Sequence, residues 1–117
     1  MAKKILVVDD SLMMRKVITK LFKESGYDVV AQAKSGAESL TLYKDHQPDL
    51  VTMDLTMREM DGFEAASLIL AYDQQAQILF LSNLDKDKYE DEVKRLGGIG
   101  FVSKHNTDEI LDIIANH

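Results

Sequence analysis

The chain has 117 residues, of which 45% are hydrophobic and 29% charged, with a formal net charge of −6; this is enough sequence for one globular core and too little for two. It contains no cysteine, which excludes a disulfide framework, a thiolate zinc site and a cysteine nucleophile. The acidic balance argues against a nucleic-acid partner. No run approaches the roughly 20 apolar residues of a membrane span, and Met1-Ala2-Lys3-Lys4 lacks the apolar stretch of a signal peptide, so a cytoplasmic protein without a membrane partner is expected.

In chain order, Ile5 to Val8 is a short apolar run that predicts a first strand. Met14, Val17, Ile18, Leu21 and Phe22 follow at i, i+3, i+4, i+7 and i+8, the stripe of a helix packed on a sheet, and Gly26 stops it. Lys3, Lys4, Arg15, Lys16, Lys20 and Lys23 crowd this segment and read as a solvated face. Val29 to Ala33 is the second strand, and Ser35 with Glu38 has the capping-box spacing that opens a second helix. Leu50 to Met53 is the third strand, followed by a cap at Asp61 with Glu64. Ile78 to Leu81 is the fourth. The helix after it, around Asp87 to Leu96, has the weakest pattern, an apolar stripe of only Tyr89, Val93 and Leu96. Gly97 ends it, Ile99 to Val102 is the fifth strand, and Asn106 with Glu109 approximates a last cap. The strands are continuous apolar runs rather than alternating ones, as expected of strands buried on both faces. Five β-α units therefore predict an α/β, doubly wound fold with a parallel sheet and helices on both faces, and ligand chemistry at the carboxyl ends of the strands.

Those ends carry charge. Asp9 and Asp10 follow the first strand and Asp54 the third, and adjacent strands would bring all three together. Clustered carboxylates repel unless a cation neutralises them, and a few carboxylates with open positions suit Mg²⁺ better than a closed Ca²⁺ cage. Taken singly, Asp10 or Ser11 could cap the first helix and Asp54 a turn. The fourth and fifth strands add Ser82 and Lys104. A hydroxyl and an ammonium converging on three acids make a site for a dianionic phosphoryl group, with one acid as nucleophile.

The sequence resembles the receiver domains of two-component response regulators, of the stand-alone, CheY-like chemotaxis type. The resemblance spans essentially the whole chain. It rests on Leu6-Val7-Val8-Asp9-Asp10-Ser11 with Met14-Arg15, on Met53-Asp54 with Met60-Asp61-Gly62, on Ser82, and on Gly97-Gly98 leading to Phe101 and Lys104. It implies a flavodoxin-like (βα)5 fold with strand order 2-1-3-4-5. It also implies phosphorylation of Asp54, catalysed by the protein itself with Ser82 and Lys104. Mg²⁺ would be held by Asp10 directly, by Asp9 mostly through water, and by Asp54 and the Thr56 carbonyl. Ser82 and Phe101 would form the switch. Phe101 lacks the hydroxyl of the commoner tyrosine and would report through packing alone.

The pattern breaks in places. Relatives usually have a cis proline after the lysine, where this chain has His105; a cis bond before a non-proline residue costs about 2.5 to 4 kcal/mol, so a trans bond and a remodelled loop are expected. Arg58 replaces a common proline, and Asn83 a small residue. Leu84 cannot hydrogen-bond an attacking water, which points to slow autodephosphorylation. The leading expectation is a response regulator that takes its phosphoryl group from a histidine kinase or histidine phosphotransfer protein and signals through a protein target at the face of helix four, strand five and helix five. The chain ends at His117 directly after the last helix, so a single receiver domain over residues 1–117 without an output domain is expected. The alternative is a receiver-fold interaction module that acts without phosphate. An aspartyl phosphatase would want an acid at Thr56, and a flavin site would want a loop rich in Gly, Ser and Thr after the first strand.

Overall fold

Each apolar run of the sequence becomes a strand. The computed structural model describes residues 2–55, 57, 60–82 and 86–117, with side chains at all of these except 86–88. The elements are β1 (Lys4–Val8), α1 (Leu12–Glu24), β2 (Asp28–Ala33), α2 (Gly36–His46), β3 (Leu50–Asp54), α3 (Gly62–Tyr72), β4 (Ile78–Ser82), α4 (Lys86–Leu96), β5 (Gly100–Ser103) and α5 (Thr107–Ala115). They form one five-stranded sheet in the order β2-β1-β3-β4-β5, parallel throughout. This is the flavodoxin-like arrangement, and its topological switch point lies between β1 and β3.

Alternate residues of each strand feed two cores, because successive side chains leave a strand on opposite faces. Ile5, Val7, Leu50, Leu79, Leu81 and Val102 pack with Ile18 and Phe22 of α1 and Ile110 and Ile114 of α5. Leu6, Val8, Val51, Met53, Ile78 and Phe80 pack on the other face with Tyr43 of α2, Ala65 and Ile69 of α3, and Val93 of α4. Every residue of β3 and β4 is buried.

The expectation of strands buried on both faces fails at the two edges. β2 has only Ala33 buried, and β5 only Phe101 and Val102, because each has a strand neighbour on one side alone. β5 also begins at Gly100 rather than Ile99. Val17, placed by periodicity on the packed stripe of α1, is 51% exposed, while Thr19 is buried; the helix is rotated so that Ile18 and Phe22 centre its inner face. Four of the five helix starts behave as the caps require: Ser11, Ser35, Asp61 and Asn106 each accept from the backbone N–H three residues on. Gly26 and Gly97 end α1 and α4 at positive φ.

On the α2–α3 side, the Tyr43 hydroxyl donates to Asp73 Oδ2 at 2.7 Å, and its ring meets Tyr72 edge-on with centroids 6.3 Å apart. Burial, followed by the hydrogen bond to Asp73 and its charge, holds the Tyr43 phenol well above the ordinary tyrosine range. An unfolded tyrosine ionises near pH ~10, so above that point the unfolded chain holds fewer protons than the folded one and stability falls as pH rises. Tyr43→Phe is expected to lose about 1.5 to 3 kcal/mol at neutral pH. That deficit should shrink as the pH climbs through ~10. Urea unfolding of both proteins at a series of pH values checks this; a deficit that stays constant contradicts it.

Candidate phosphoryl-acceptor site

The registers assemble the site. Val8 lies opposite Met53 across β1 and β3, so Asp9 and Asp54, the next residues of each strand line, stand side by side. Ser82 lies opposite Ser103 across β4 and β5, and the Lys104 N–H donates to the Ser82 carbonyl at 3.1 Å. Lys104 therefore leaves the sheet beside Ser82 and turns its side chain toward the acids. Its ammonium lies 2.9 Å from Asp9 Oδ2 and 3.1 Å from Asp54 Oδ1. All three residues are buried.

Asp9 is held on every side. Its N–H donates to the Ala33 carbonyl at 3.0 Å, its carbonyl accepts from the Arg15 guanidinium at 2.7 Å, and its Oδ1 accepts from the Ser11 N–H at 2.9 Å. Burial pushes the Asp9 carboxyl above the ordinary aspartate range and the Asp54 charge pushes the same way, while Lys104 and the Ser11 N–H offset part of the rise. For Lys104, burial works against the ammonium, and the Asp9 hydrogen bond with the charges of Asp54 and Asp9 more than reverses it, leaving the group above the ordinary lysine value.

Ser11, not Asp10, caps α1. Asp10 is consequently left exposed at the mouth of the site, where its carboxylate joins those of Asp9 and Asp54, one oxygen from each lying within 4.8 Å of the others. One buried ammonium against three carboxylates leaves a negative surplus. An all-oxygen donor set that is buried on two sides and open on the third suits a hard divalent cation that keeps some of its water.

Ser82 is fully buried at the end of β4. Phe101 packs in the α2–α3–α4 core, its ring stacked on Tyr89 of α4 at 6.2 Å between centroids. Among the described residues every peptide bond is trans, Lys104–His105 included. The loop there closes as a turn, with Asn106 N–H donating to Ser103 O at 3.1 Å and His105 N–H to Ser103 Oγ at 3.3 Å. Thr56, Arg58, Asn83 and Leu84 lie outside the described residues.

Two of the bases assigned to a solvated face are structural instead. Arg15 caps the Asp9 carbonyl, and Lys3 donates to Ile114 O at 3.0 Å, tying down the end of α5. Gly62 is a second residue whose task periodicity did not announce. A Cβ there would collide with the Asp54 carbonyl oxygen and stand 2.9 Å from Leu55 Cα, and its N–H donates to Leu55 O at 3.3 Å. The start of α3 thus presses on the backbone that carries Asp54. Only the spacing of Gly62 behind Asp54 hinted at this.

The sequence profile of the response regulator receiver domain matches residues 5–115. The chain belongs to that family. The receiver domain is 40% identical over 115 residues to the chemotaxis protein CheY of Bacillus subtilis, covering 97% of this chain and 96% of the relative. It is similar to CheY in the crystal structure of the CheX-CheY-BeF3-Mg²⁺ complex from Borrelia burgdorferi, at 30% identity and a TM-score of 0.91 over 97% of this chain and 87% of that one. It is also similar to the response regulator protein TrrA from Thermotoga maritima in complex with Mg²⁺-BeF, at 29% identity and a TM-score of 0.88 over 97% of each chain. Among the described residues of the receiver domain, no helix is long and apolar enough to cross a membrane.

Two outcomes follow from the charge surplus and the close approach. In metal-free buffer Asp10→Asn is expected to be more stable than wild type by about 1 kcal/mol, since it removes one of three mutually repelling charges at the solvent edge. Gly62→Ala should lose about 1 to 3 kcal/mol by overpacking. Denaturant midpoints measure both, and a destabilised Asp10→Asn would mean that the carboxylate is a structural partner rather than a surplus charge.

Proposed function

We propose that the protein is a phosphorylation-dependent response regulator that accepts a phosphoryl group on Asp54 from a phosphohistidine donor and signals by altered binding to a protein target. The observation that carries this reading is the buried Lys104 ammonium, 2.9 Å from Asp9 and 3.1 Å from Asp54. A nucleophilic carboxylate with a fixed cation beside it is what phosphoryl transfer needs, because most of the catalysis lies in positioning and charge neutralisation.

In the transfer, an Asp54 carboxylate oxygen attacks phosphorus, the P–N bond of the donor phosphoimidazole breaks, and the imidazole leaves. Lys104 stays within ion-pair reach of the incoming phosphoryl oxygens, and Asp9 keeps Lys104 oriented. Asp9, Asp10, Asp54 and the Thr56 carbonyl would hold Mg²⁺, which when bound supplies charge neutralisation for the dianionic group. Ser82, at the end of β4 next to Asp54's strand partner Leu81, would offer its hydroxyl to the new phosphoryl oxygens, and Phe101 would carry the change outward by packing. The same groups make the protein its own catalyst of phosphorylation and dephosphorylation.

The donor is a histidine kinase or histidine phosphotransfer protein. Leu12, Met13 and Val17 are exposed on α1 beside the acids, with Lys16 and Lys20 exposed around them, a surface suited to an acidic, partly apolar helix. The target would bind at the α4-β5-α5 face, and the near-complete length shared with the CheY relative supports a CheY-like role for the receiver domain.

Backbone amide NMR with Mg²⁺ and beryllofluoride, a phosphoryl mimic, tests the reading. Wild type should shift at Asp54, Ser82, Phe101 and Lys104, and Asp54→Asn should not. A wild type that fails to respond, while still binding a protein target, would instead favour the phosphate-independent interaction module.

A further inference from the structure

Between α3 and α4 runs a groove of about 610 Å³ that takes no part in the acceptor site. Its floor is apolar, built from Met60, Phe63, Leu68 and Leu96, and among the described residues its rim carries Asp61, Glu64 and Glu92. Leu68 is 40% exposed in it, so its side chain is available to an apolar anchor. Glu92 reaches Arg95 at 3.1 Å, but that pair is solvent-exposed and so worth little, and a partner's cation can replace Arg95 at small cost. Asp61, an exposed residue, caps α3 through Oδ1.

The floor connects to the switch aromatic through ring contacts. Phe63 lies 5.8 Å from Tyr89 between ring centroids, and Tyr89 lies 6.2 Å from Phe101 with the planes 18° apart. Phe63 also touches Phe80 of β4 at 5.4 Å. Close packing couples neighbouring rings, so a displacement of Phe101 toward α4 changes the space left to Tyr89, and Tyr89 is one ring away from the groove floor.

We infer that the α3–α4 groove is a docking site for a basic protein segment bearing an apolar anchor, and that its affinity is tied to the acceptor site through Phe101, Tyr89 and Phe63. Charge complementarity selects the occupant: three rim carboxylates favour Lys and Arg, and the floor favours one Leu, Met or Phe between them. An acidic segment would meet like charge at Asp61 and Glu64 along the α3 wall. The docking site itself stands independently of the proposed phosphorylation, whereas the coupling rests on it. By linkage, whatever the groove does to the acceptor site the acceptor site does to the groove by the same factor.

The test uses the full chain, isotopically labelled, and capped twelve-residue peptides in which one Leu, Met or Phe is flanked by Lys and Arg, with matched Glu-flanked peptides as controls. Basic peptides should shift the amides of Phe63, Leu68 and Leu96, and Glu-flanked peptides should not. Glu64→Lys combined with Glu92→Lys should weaken binding at least fivefold, and Leu68→Ser should weaken it without altering the acceptor site. Addition of Mg²⁺ and beryllofluoride should change the affinity at least threefold, and Tyr89→Leu should abolish that change while the groove still binds.

Shifts scattered over the acidic surface, indifference to the double charge reversal, or no shift with any basic peptide would overturn the docking site. Equal affinity with and without beryllofluoride, in a sample whose Asp54 and Ser82 amides do respond to it, would overturn the coupling. If those amides fail to respond while the groove binds as described, the proposed phosphorylation falls and the docking site stands.

Discussion

One ammonium holds two buried carboxylates together. Lys104 reaches Asp9 and Asp54 from a different strand end than either, and without it two like charges would face each other in a medium far less polar than water. The surrounding structure serves to make this contact possible. The trans turn at Ser103–Asn106 aims the lysine stem back over the sheet. The Ser11 cap and the Arg15 guanidinium fix the chain around Asp9, and Gly62 allows α3 to start against the Asp54 backbone. Burying an ion triad seldom adds net stability. Its presence at the mouth of the sheet therefore marks a place that stability alone does not account for.

The two cores supply what the site gives up. β3 and β4, the innermost strands on the acceptor side, are buried along their whole length, and each face is covered by its own set of helices. The buried charges, Asp9, Asp54 and Lys104, concentrate at one end of this scaffold. The switch point between β1 and β3 is the crevice this topology leaves open, and the acids stand on its two lips. Phe101 joins these halves: it precedes Lys104 by three residues, yet its ring belongs to the helical face where Tyr89 stacks on it.

Much of this was legible in the residues themselves. The strands follow from apolar runs bounded by caps and glycines, and Asp9, Asp10, Asp54, Ser82 and Lys104 follow from their positions just past those runs. Less legible were features that depend on where an element sits in the sheet. Val29 and Val30 look as buried as Leu6 and Val7, but β2 is an edge and they are only half covered. Val17 fits the helical period and still faces solvent, since the period gives a stripe but not the rotation of the helix about its axis. Arg15 looked like one more surface cation, because a contact to a backbone carbonyl six residues earlier leaves no trace in charge patterning. Tyr89 was read as the apolar stripe of a weak helix, and its stacking between Phe63 and Phe101 required three elements to be docked first.

The pairing of Val8 with Met53 carries an implication for how the chain finds its fold. Side chains alternate along a strand, so sliding β3 by one residue against β1 would turn Met53 toward the acids and drive the Asp54 carboxylate into the aliphatic layer beneath α2 and α3. A misregistered sheet thus loses hydrophobic burial and strands a charge in oil at the same stroke. The buried aspartate, an expense to the finished protein, penalises the nearest wrong alignment of its own strand, and Asp54 doubles as a register mark for the sheet that presents it.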